Sequence, residues 1–362
     1  IAHELKARGY VTAFFGKWHV GRRDPRAPLV GEAHAKIVVP EEARGGFDFW
    51  EGFESGFLLN DPWLHGTRLP EPTRFGGYQS DVICERAAQW VRSGLNHEDT
   101  KARRSAPPSS WFCVVSLEAP HPPYDAPAAG VMVRDPREIV LPANVPRGGE
   151  VEAKARRELA GYHAHIEATD GAIGRMLASP AADAGRTIVV FTSVHGDMHG
   201  AHGLFRKGWP HEESVRVPLL VRRPREPRVA GGKGQVATGT SDATVSLVDL
   251  PAMTLAWASG LKPQASRPYA LISMPGVVAL PHQCDRAWRG IRTKTRKLVL
   301  AASPSMHPIG LPRTGAGPGL QPWLFFDLAR DPLEMRNLSG DPSRAEEIAE
   351  LANAERCQAA GS

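Results

Sequence analysis

The sequence predicts an α/β protein: a mostly parallel mixed sheet between helices, followed by a small C-terminal α+β subdomain. Three observations carry this expectation. The runs Trp111-Phe112-Cys113-Val114-Val115-Ser116-Leu117 and Thr187-Ile188-Val189-Val190-Phe191-Thr192-Ser193 are almost continuously apolar, the pattern of strands covered on both faces. Residues 151–178 place Leu159, Tyr162, Ile166, Ile173 and Leu177 near the 3.6-residue period of an amphipathic helix. The 36 glycines and 32 prolines of the 362-residue chain fall without a period, which marks a loop-rich fold, and collagen-like, coiled-coil and low-complexity readings fail.

The elements follow in order. Residues 2–8 read as the end of a helix closed by Gly9, a start that places the true N-terminus before Ile1. Tyr10-Val11-Thr12-Ala13-Phe14-Phe15 is a β-prone run. Residues 20–76, rich in Gly, Pro and aromatics, read as an extended, loop-dominated excursion. Residues 78–93 suit a helix with Val82, Ala87 or Ala88, and Val91 on one face, and 94–109 a polar surface loop. After the strand at 111–117, a proline-punctuated loop (125–149) leads to the long helix. A third strand at 187–193, a fourth at Val217–Val221 and a helix over 242–258 close this unit, with a boundary near 263–268. The expected domains are therefore 1–262 and 263–362, the second carrying the β-prone runs Arg289–Leu300 and Trp323–Leu328.

Composition narrows the function classes. Basic residues number 44 (10 Lys, 34 Arg) against 39 acidic, a formal charge of +5, but the arginines are scattered. A nucleic-acid partner is not expected, because its binding surface gathers cations on one stripe with aromatics between them. No run of eighteen apolar residues occurs, so no transmembrane helix is expected. Cys84, Cys113, Cys284 and Cys357 are too few and too dispersed for a disulfide framework or a CxxC metal site.

Chemistry collects where three predicted strands end. The first ends at Lys17 and His19, the second at His121, the third at His195 and Asp197. Ligands of open α/β sheets bind outside the carboxyl ends of parallel strands, so parallel alignment places these clusters on one rim. Lys and His groups there suit an anion whose charge is spread over several oxygens, and Lys207 can fold back to join them. Singly, each also suits an ordinary role as a hydrogen-bonded loop histidine or a solvated turn lysine.

Together the segments resemble the sulfatase family. GYVTAFFGKWHVG, from Gly9 to Gly21, looks like the second sulfatase signature, GY-x-T-x-x-x-GKWH-x-G. Pro120-His121-Pro122-Pro123-Tyr124 is similar to the family's PH-x-PY segment, and Thr192-Ser193-Val194-His195-Gly196-Asp197 to its metal-binding TSDHGD turn. Gly203-Leu204-Phe205-Arg206-Lys207, Glu212 through Pro218, Gly290-Ile291-Arg292-Thr293 and Phe326-Asp327-Leu328 through Asn337-Leu338 follow in the family's order over nearly the whole chain. The resemblance implies an alkaline-phosphatase-like fold and a type I sulfatase of that superfamily. Such an enzyme hydrolyses sulfate monoesters, small-molecule or glycan, with a formylglycine nucleophile made from Cys or Ser beside bound calcium. It further implies that Lys17 bridges nucleophile and sulfate, and that His19 orients or deprotonates the formylglycine hydrate. By the same carry-over His121 contacts the sulfate and assists the leaving oxygen, Lys207 clamps a sulfate oxygen, and His195 ligates the metal. Members of the family are often periplasmic, secreted or lysosomal.

Two departures qualify the resemblance. The family's paired acidic metal ligands and its C/S-x-P-x-R nucleophile motif lie upstream of the GKWH segment, and no cysteine here is followed by x-P-x-R. The chain is thus expected to be N-terminally truncated and inactive as given. Second, Val194 stands where the family has an acidic ligand, and calcium requires six to eight oxygen donors. The competing readings are a non-catalytic sulfatase-like pseudoenzyme and a phosphodiesterase or phosphonate hydrolase on the same scaffold. A third is a zinc hydrolase built on His195-x-x-x-His199-x-x-His202, against which Gly196, Gly200 and Gly203 argue for a loop.

Overall fold

The structure, a computed structural model, describes residues 1–21, 30–93, 110–178, 186–224, 239–263, 268–274, 282–302 and 319–360. The expected loop over 94–109 and most of the expected boundary at 263–268 lie outside these residues. The chain divides into two compact units: Ile1–Val140 with Arg156–Thr187 and Arg223–Glu226, and Leu141–Ala155 with Ile188–Arg222 and Pro227–Ser362.

In the first unit, helix α1 (Ala2–Ala7) ends before Gly9, whose φ of 85° no β-carbon-bearing residue adopts cheaply. Then come β1 (Val11–Lys17), α2 (Glu32–Ala35), β2 (Phe49–Phe53), β3 (Trp63–Gly66), β4 (Leu69–Arg74), α3 (Gln79–Ser93) and β5 (Trp111–Ser116). The five strands form one mixed sheet in the order β4-β3-β2-β1-β5. β1 runs parallel to both β2 and β5, while β2-β3 and β3-β4 are antiparallel. The β1 run does not alternate because both of its faces are buried: Phe15 packs with Phe49, Phe53 and Trp90, whereas Phe14 packs with Val39 and Trp50. Each such side chain contributes roughly 1.5–3 kcal/mol by leaving water.

The loop-dominated excursion expected over 20–76 is corrected here, since it contains β2, β3 and β4. These strands escape pattern reading because they are short and broken. β3 has four residues, and β4 carries Pro70 and Pro72, which an edge strand tolerates. β2 holds a carboxylate, Glu51, that is buried only because Arg68 (3.1 Å) and Arg86 pair with it.

Helix α4 (Glu150–Ala178) has the expected extent but a different buried face. Ile166 is 42% exposed, while Ala160, Ala164, His165, Ala168 and Ala172 are buried. Small residues line that face because the backbone comes close: a β-carbon on Gly161 would stand 1.8 Å from the Tyr124 carbonyl oxygen.

In the second unit, β6 (Val189–Thr192) pairs antiparallel with β7 (Leu219–Arg222) as a two-stranded sheet. The pairing of this third strand is thus antiparallel where a parallel one was expected, and Val190 and Phe191 remain 37% and 42% exposed. An apolar run fixes that a strand exists but not its partner. α5 (Glu212–Val215) and α6 (Leu250–Ala258) follow. The helix expected over 242–258 is delayed, because the Asp249 carboxylate accepts the Ser246 N–H (3.0 Å) in a tight turn ahead of it. β8 (Tyr269–Met274), β9 (Trp288–Thr293), β10 (Arg296–Ala301) and β11 (Gln321–Asp327) form an antiparallel sheet in the order β11-β10-β9-β8. Leu298, Leu300 and Phe325 on one face pack against Ile348 and Ala352 of α7 (Ala345–Ala360). That sheet and helix are the α+β subdomain the sequence suggests.

Two measurements probe this framework. Gly16 has φ 99°, and a β-carbon there would stand 2.1 Å from the Ser116 carbonyl oxygen, whereas one on Gly130 (φ 80°) would meet nothing within 4 Å. In urea unfolding, Gly16→Ala should therefore cost about 3 kcal/mol and Gly130→Ala about 1 kcal/mol; equal costs would contradict the close approach of β1 and β5. His65 is fully buried, its Nε2 accepting the Val39 N–H at 2.8 Å, and burial lowers its pKa from 6.5 to about 4. Between those pH values the unfolded chain binds the proton and the folded one does not. Stability should thus fall by about 3 kcal/mol as pH drops from 6.5 to 4, and His65→Gln should lose most of that dependence.

Candidate active site

β1 and β5 are in register through Gly16 and Ser116, so residues beyond them leave the sheet at the same carboxyl end. Lys17 is the last residue of β1, and its ammonium lies 2.7 Å from Glu118 Oε1, with the two side chains 13% and 0% exposed. The ammonium also stands over the Phe57 ring, 4.8 Å from its centroid. Phe57 in turn stacks on the His121 imidazole at 4.5 Å and an interplanar angle of 3°. One aromatic ring therefore touches two of the three site residues expected in this unit, Lys17 and His121.

The supports of this group are explicit. Gln79, at the start of α3, donates Nε2–H to the Leu58 carbonyl (2.8 Å) and to Glu118 Oε2 (3.0 Å), and its own carbonyl accepts the Glu118 N–H (3.3 Å). The His121 N–H donates to the Glu118 carbonyl (3.0 Å), and His121 Nδ1 donates to the Pro122 carbonyl (3.0 Å), which assigns its proton to that nitrogen. Ala119-Pro120 and Pro122-Pro123, on either side of His121, are cis.

His19 follows Lys17 by two residues with φ 61°, and its N–H donates to the Glu54 carbonyl (3.1 Å). The Glu54 carboxylate accepts the Gly21 N–H through both oxygens (3.2 and 3.1 Å) and closes the turn. Burial pushes the Glu54 carboxyl above the usual carboxylate range, against the opposing pull of the Gly21 N–H.

In the second unit, the chain leaves β6 into a tight loop. His195 Nδ1 pairs with the Gly196 carbonyl (2.8 Å), and Asp197 Oδ1 accepts the backbone N–H groups of His199 (3.2 Å) and Arg206 (3.0 Å). Lys207 lies between Arg206 and Gly208, both left-handed (φ 67° and 87°). His202 stacks on His211 at 4.3 Å and contacts Asn144 Nδ2 through Nε2 (3.2 Å). Among the described residues, no group of three or more His, Cys, Asp or Glu is gathered as a metal ion requires, so the zinc reading of His195, His199 and His202 is not supported. The turn does not fit calcium either. Beside His195 stands the isopropyl group of Val194, 81% exposed, where an oxygen donor is needed. The cysteines offer no nucleophile in the first unit: burial pushes the Cys84 and Cys113 thiols up to about 12.

Of the residues singled out in the sequence (Lys17, His19, His121, His195 and Lys207), Lys17 and His121 share a contact with Phe57; Glu118, Gln79, Phe57 and Glu54, which adjoin this group, were not singled out. Glu118 had a signal, an acidic residue at the end of the strand neighbouring Lys17. Phe57 and Glu54 reach the group through the excursion whose strands the pattern hides, and Gln79 from the start of the expected helix.

The comparisons with known proteins agree with this architecture. The sulfatase family model matches residues 1–261, and the chain belongs to the sulfatase family. It is 30% identical over 361 residues to an ulvan-active sulfatase of Formosa agariphila, covering 94% of this chain and 62% of that protein. It is 27% identical over 374 residues to a choline-sulfatase of Rhizobium meliloti, covering 94% and 67%. A structure solved in complex with its substrate D-glucosamine-2-N,6-O-disulfate superposes with a TM-score of 0.67, 19% identity, and coverage of 98% of this chain and 80% of that one. The chain thus spans about three fifths of the first of these relatives. No helix among the described residues is long and apolar enough to cross a membrane.

Sulfatases generally bind a metal, which makes Val194 testable. Calorimetric titration of the protein with calcium should show no micromolar binding, and Val194→Asp should tighten binding at least tenfold; micromolar affinity with Val194 in place would overturn the assignment.

Proposed function

We propose that this chain is the sulfate-recognising part of a sulfuric ester hydrolase whose substrates are sulfate monoesters of glycans. The observation that carries this reading is the Lys17-Phe57-His121 group at the carboxyl ends of two parallel strands in a sulfatase-family chain. The glycan class rests on the ulvan-active relative and on the glucosamine disulfate bound by a structural neighbour.

In sulfuryl transfer negative charge develops on the leaving oxygen as the S–O bond breaks, and the charge of the transferring group is spread over its terminal oxygens. A fixed ammonium stabilises that charge more in the transition state than in the ground state. Lys17 supplies this charge from a side chain already ordered by Glu118. His121, protonated on Nδ1, presents Nε2 to the ester, and a proton held there would pass to the leaving oxygen. His19 holds or accepts a proton on the nucleophile side. Lys207 as a second cation on the sulfate and His195 as a metal ligand belong to the same proposal and rest on the family motif. Calcium, where bound, would supply charge neutralisation; Val194 opposes that, and no step here is routed through it.

A second reading has its own observation. Val194, in the place of an acidic ligand of the turn, favours a sulfate-ester-binding protein without turnover. Assaying sulfate release from N-acetylglucosamine 6-sulfate by the product of the complete reading frame separates the two. Under the first reading, Lys17→Ala lowers kcat/KM by about 10²- to 10³-fold. Undiminished turnover in that variant would refute the assignment, and binding without any release in the parent protein would establish the second reading.

A further inference from the structure

Lys17 is not a bare cation. Its ammonium carries three donors, and one faces a carboxylate that has no exposed surface. Glu118 cannot relax away from it: Gln79 holds the other carboxylate oxygen and the Glu118 N–H, and ties both to the Leu58 carbonyl beside Phe57. The nearby Glu54 carboxylate turns both of its oxygens to the Gly21 N–H (3.2 and 3.1 Å). Glu118, at 2.7 Å, is the carboxylate in direct contact with the Lys17 ammonium.

We infer that Glu118 is a specificity-determining positioning residue, which holds Lys17 in place and makes the site select singly over doubly charged esters. The inference rests on the reading of Lys17 as the anion-binding group. An ammonium and a buried carboxylate sum to zero, so a monoanion meets the near side of the ammonium at little cost. A dianion meets the same ammonium, but its second charge also lies within a few ångströms of Glu118 in a poorly screened setting. The repulsion acts through charge number and not through the central atom. Sulfate esters and phosphonate monoesters, each carrying one negative charge, should be accepted alike. A phosphate monoester, doubly charged well above its second pKa of about 6, should be disfavoured.

The test is calorimetric binding at pH 8 of phenyl sulfate, phenyl methylphosphonate and phenyl phosphate to the parent protein, Lys17→Ala and Glu118→Gln. The parent should bind the two monoanions within about threefold of each other and phenyl phosphate at least tenfold more weakly. Glu118→Gln, nearly isosteric, should bring phenyl phosphate to within about threefold of phenyl sulfate. A merely structural loss would weaken all three together and leave their ratios unchanged. Equal binding of phosphate and sulfate by the parent overturns the inference without any variant, so it remains falsifiable if Glu118→Gln does not fold. A gap that persists in folded Glu118→Gln overturns it too. If Lys17→Ala abolishes phenyl sulfate binding while either of those results is obtained, the anion-site reading stands and only the role of Glu118 falls. If the parent binds none of the three, both fall.

Discussion

A carboxylate without access to water has to be matched by a cation, and Glu118 fixes where that cation stands. The parallel register of β1 and β5 brings Lys17 to it, and that register tolerates only glycine at residue 16, where the strands pass closest. From the same point, Gln79 reaches both Glu118 and the turn that carries Phe57, and Phe57 reaches His121. The candidate site is therefore an extension of the sheet's core. Lys17 and His121 are placed by packed contacts, so little ordering is left for a ligand to impose.

The other buried ion pairs show why Lys17 differs. Lys297 is wholly buried, and its ammonium is shared among Glu212 (2.8 Å), Glu334 (2.6 Å) and the Pro210 carbonyl (2.9 Å). Three acceptors meet three donors, and burial alone would raise the pKa of Glu212 and Glu334, yet Lys297 together with Arg292 and His211 holds both below the usual carboxylate range. Glu51 is likewise saturated, by two guanidinium groups. Those networks are closed and serve the fold. Lys17 is in direct contact with the Glu118 carboxylate and an aromatic face, and 13% of its side chain is open. The same physics of charge burial makes a staple where the acceptors match the donors, and a binding group where they fall short.

Much of this was legible in the sequence. β1 and β5 are long apolar runs whose ends carry Lys17 and His121, and α4 and α3 have clear periods. What the sequence hid is what depends on pairing. β2, β3 and β4 are too short or too proline-rich to give a period, yet β2 and the turn after it deliver Glu54 and Phe57 to the site. β6 and β7 were both legible as strands, but their antiparallel pairing was not, because apolar composition carries no direction. α7 had a signal that pattern reading could have used: Ile348, Leu351, Ala352 and Glu355 recur on one face, and Ile348 and Ala352 are buried there.

Val194 shows the reverse case, a residue plain in the sequence whose meaning comes from its surroundings. At 81% exposure its isopropyl group contributes almost nothing to packing, and a surface substitution of this kind shifts stability by about 0.5 kcal/mol or less. Nothing in the fold therefore selects valine over aspartate at this turn. The neighbouring backbone is set by other contacts: the Gly196 N–H donates to the Ser214 carbonyl (2.8 Å), and Asp197 accepts two N–H groups of the loop. The loop keeps its shape with either residue, so the choice at 194 bears on what the turn binds and not on whether it forms.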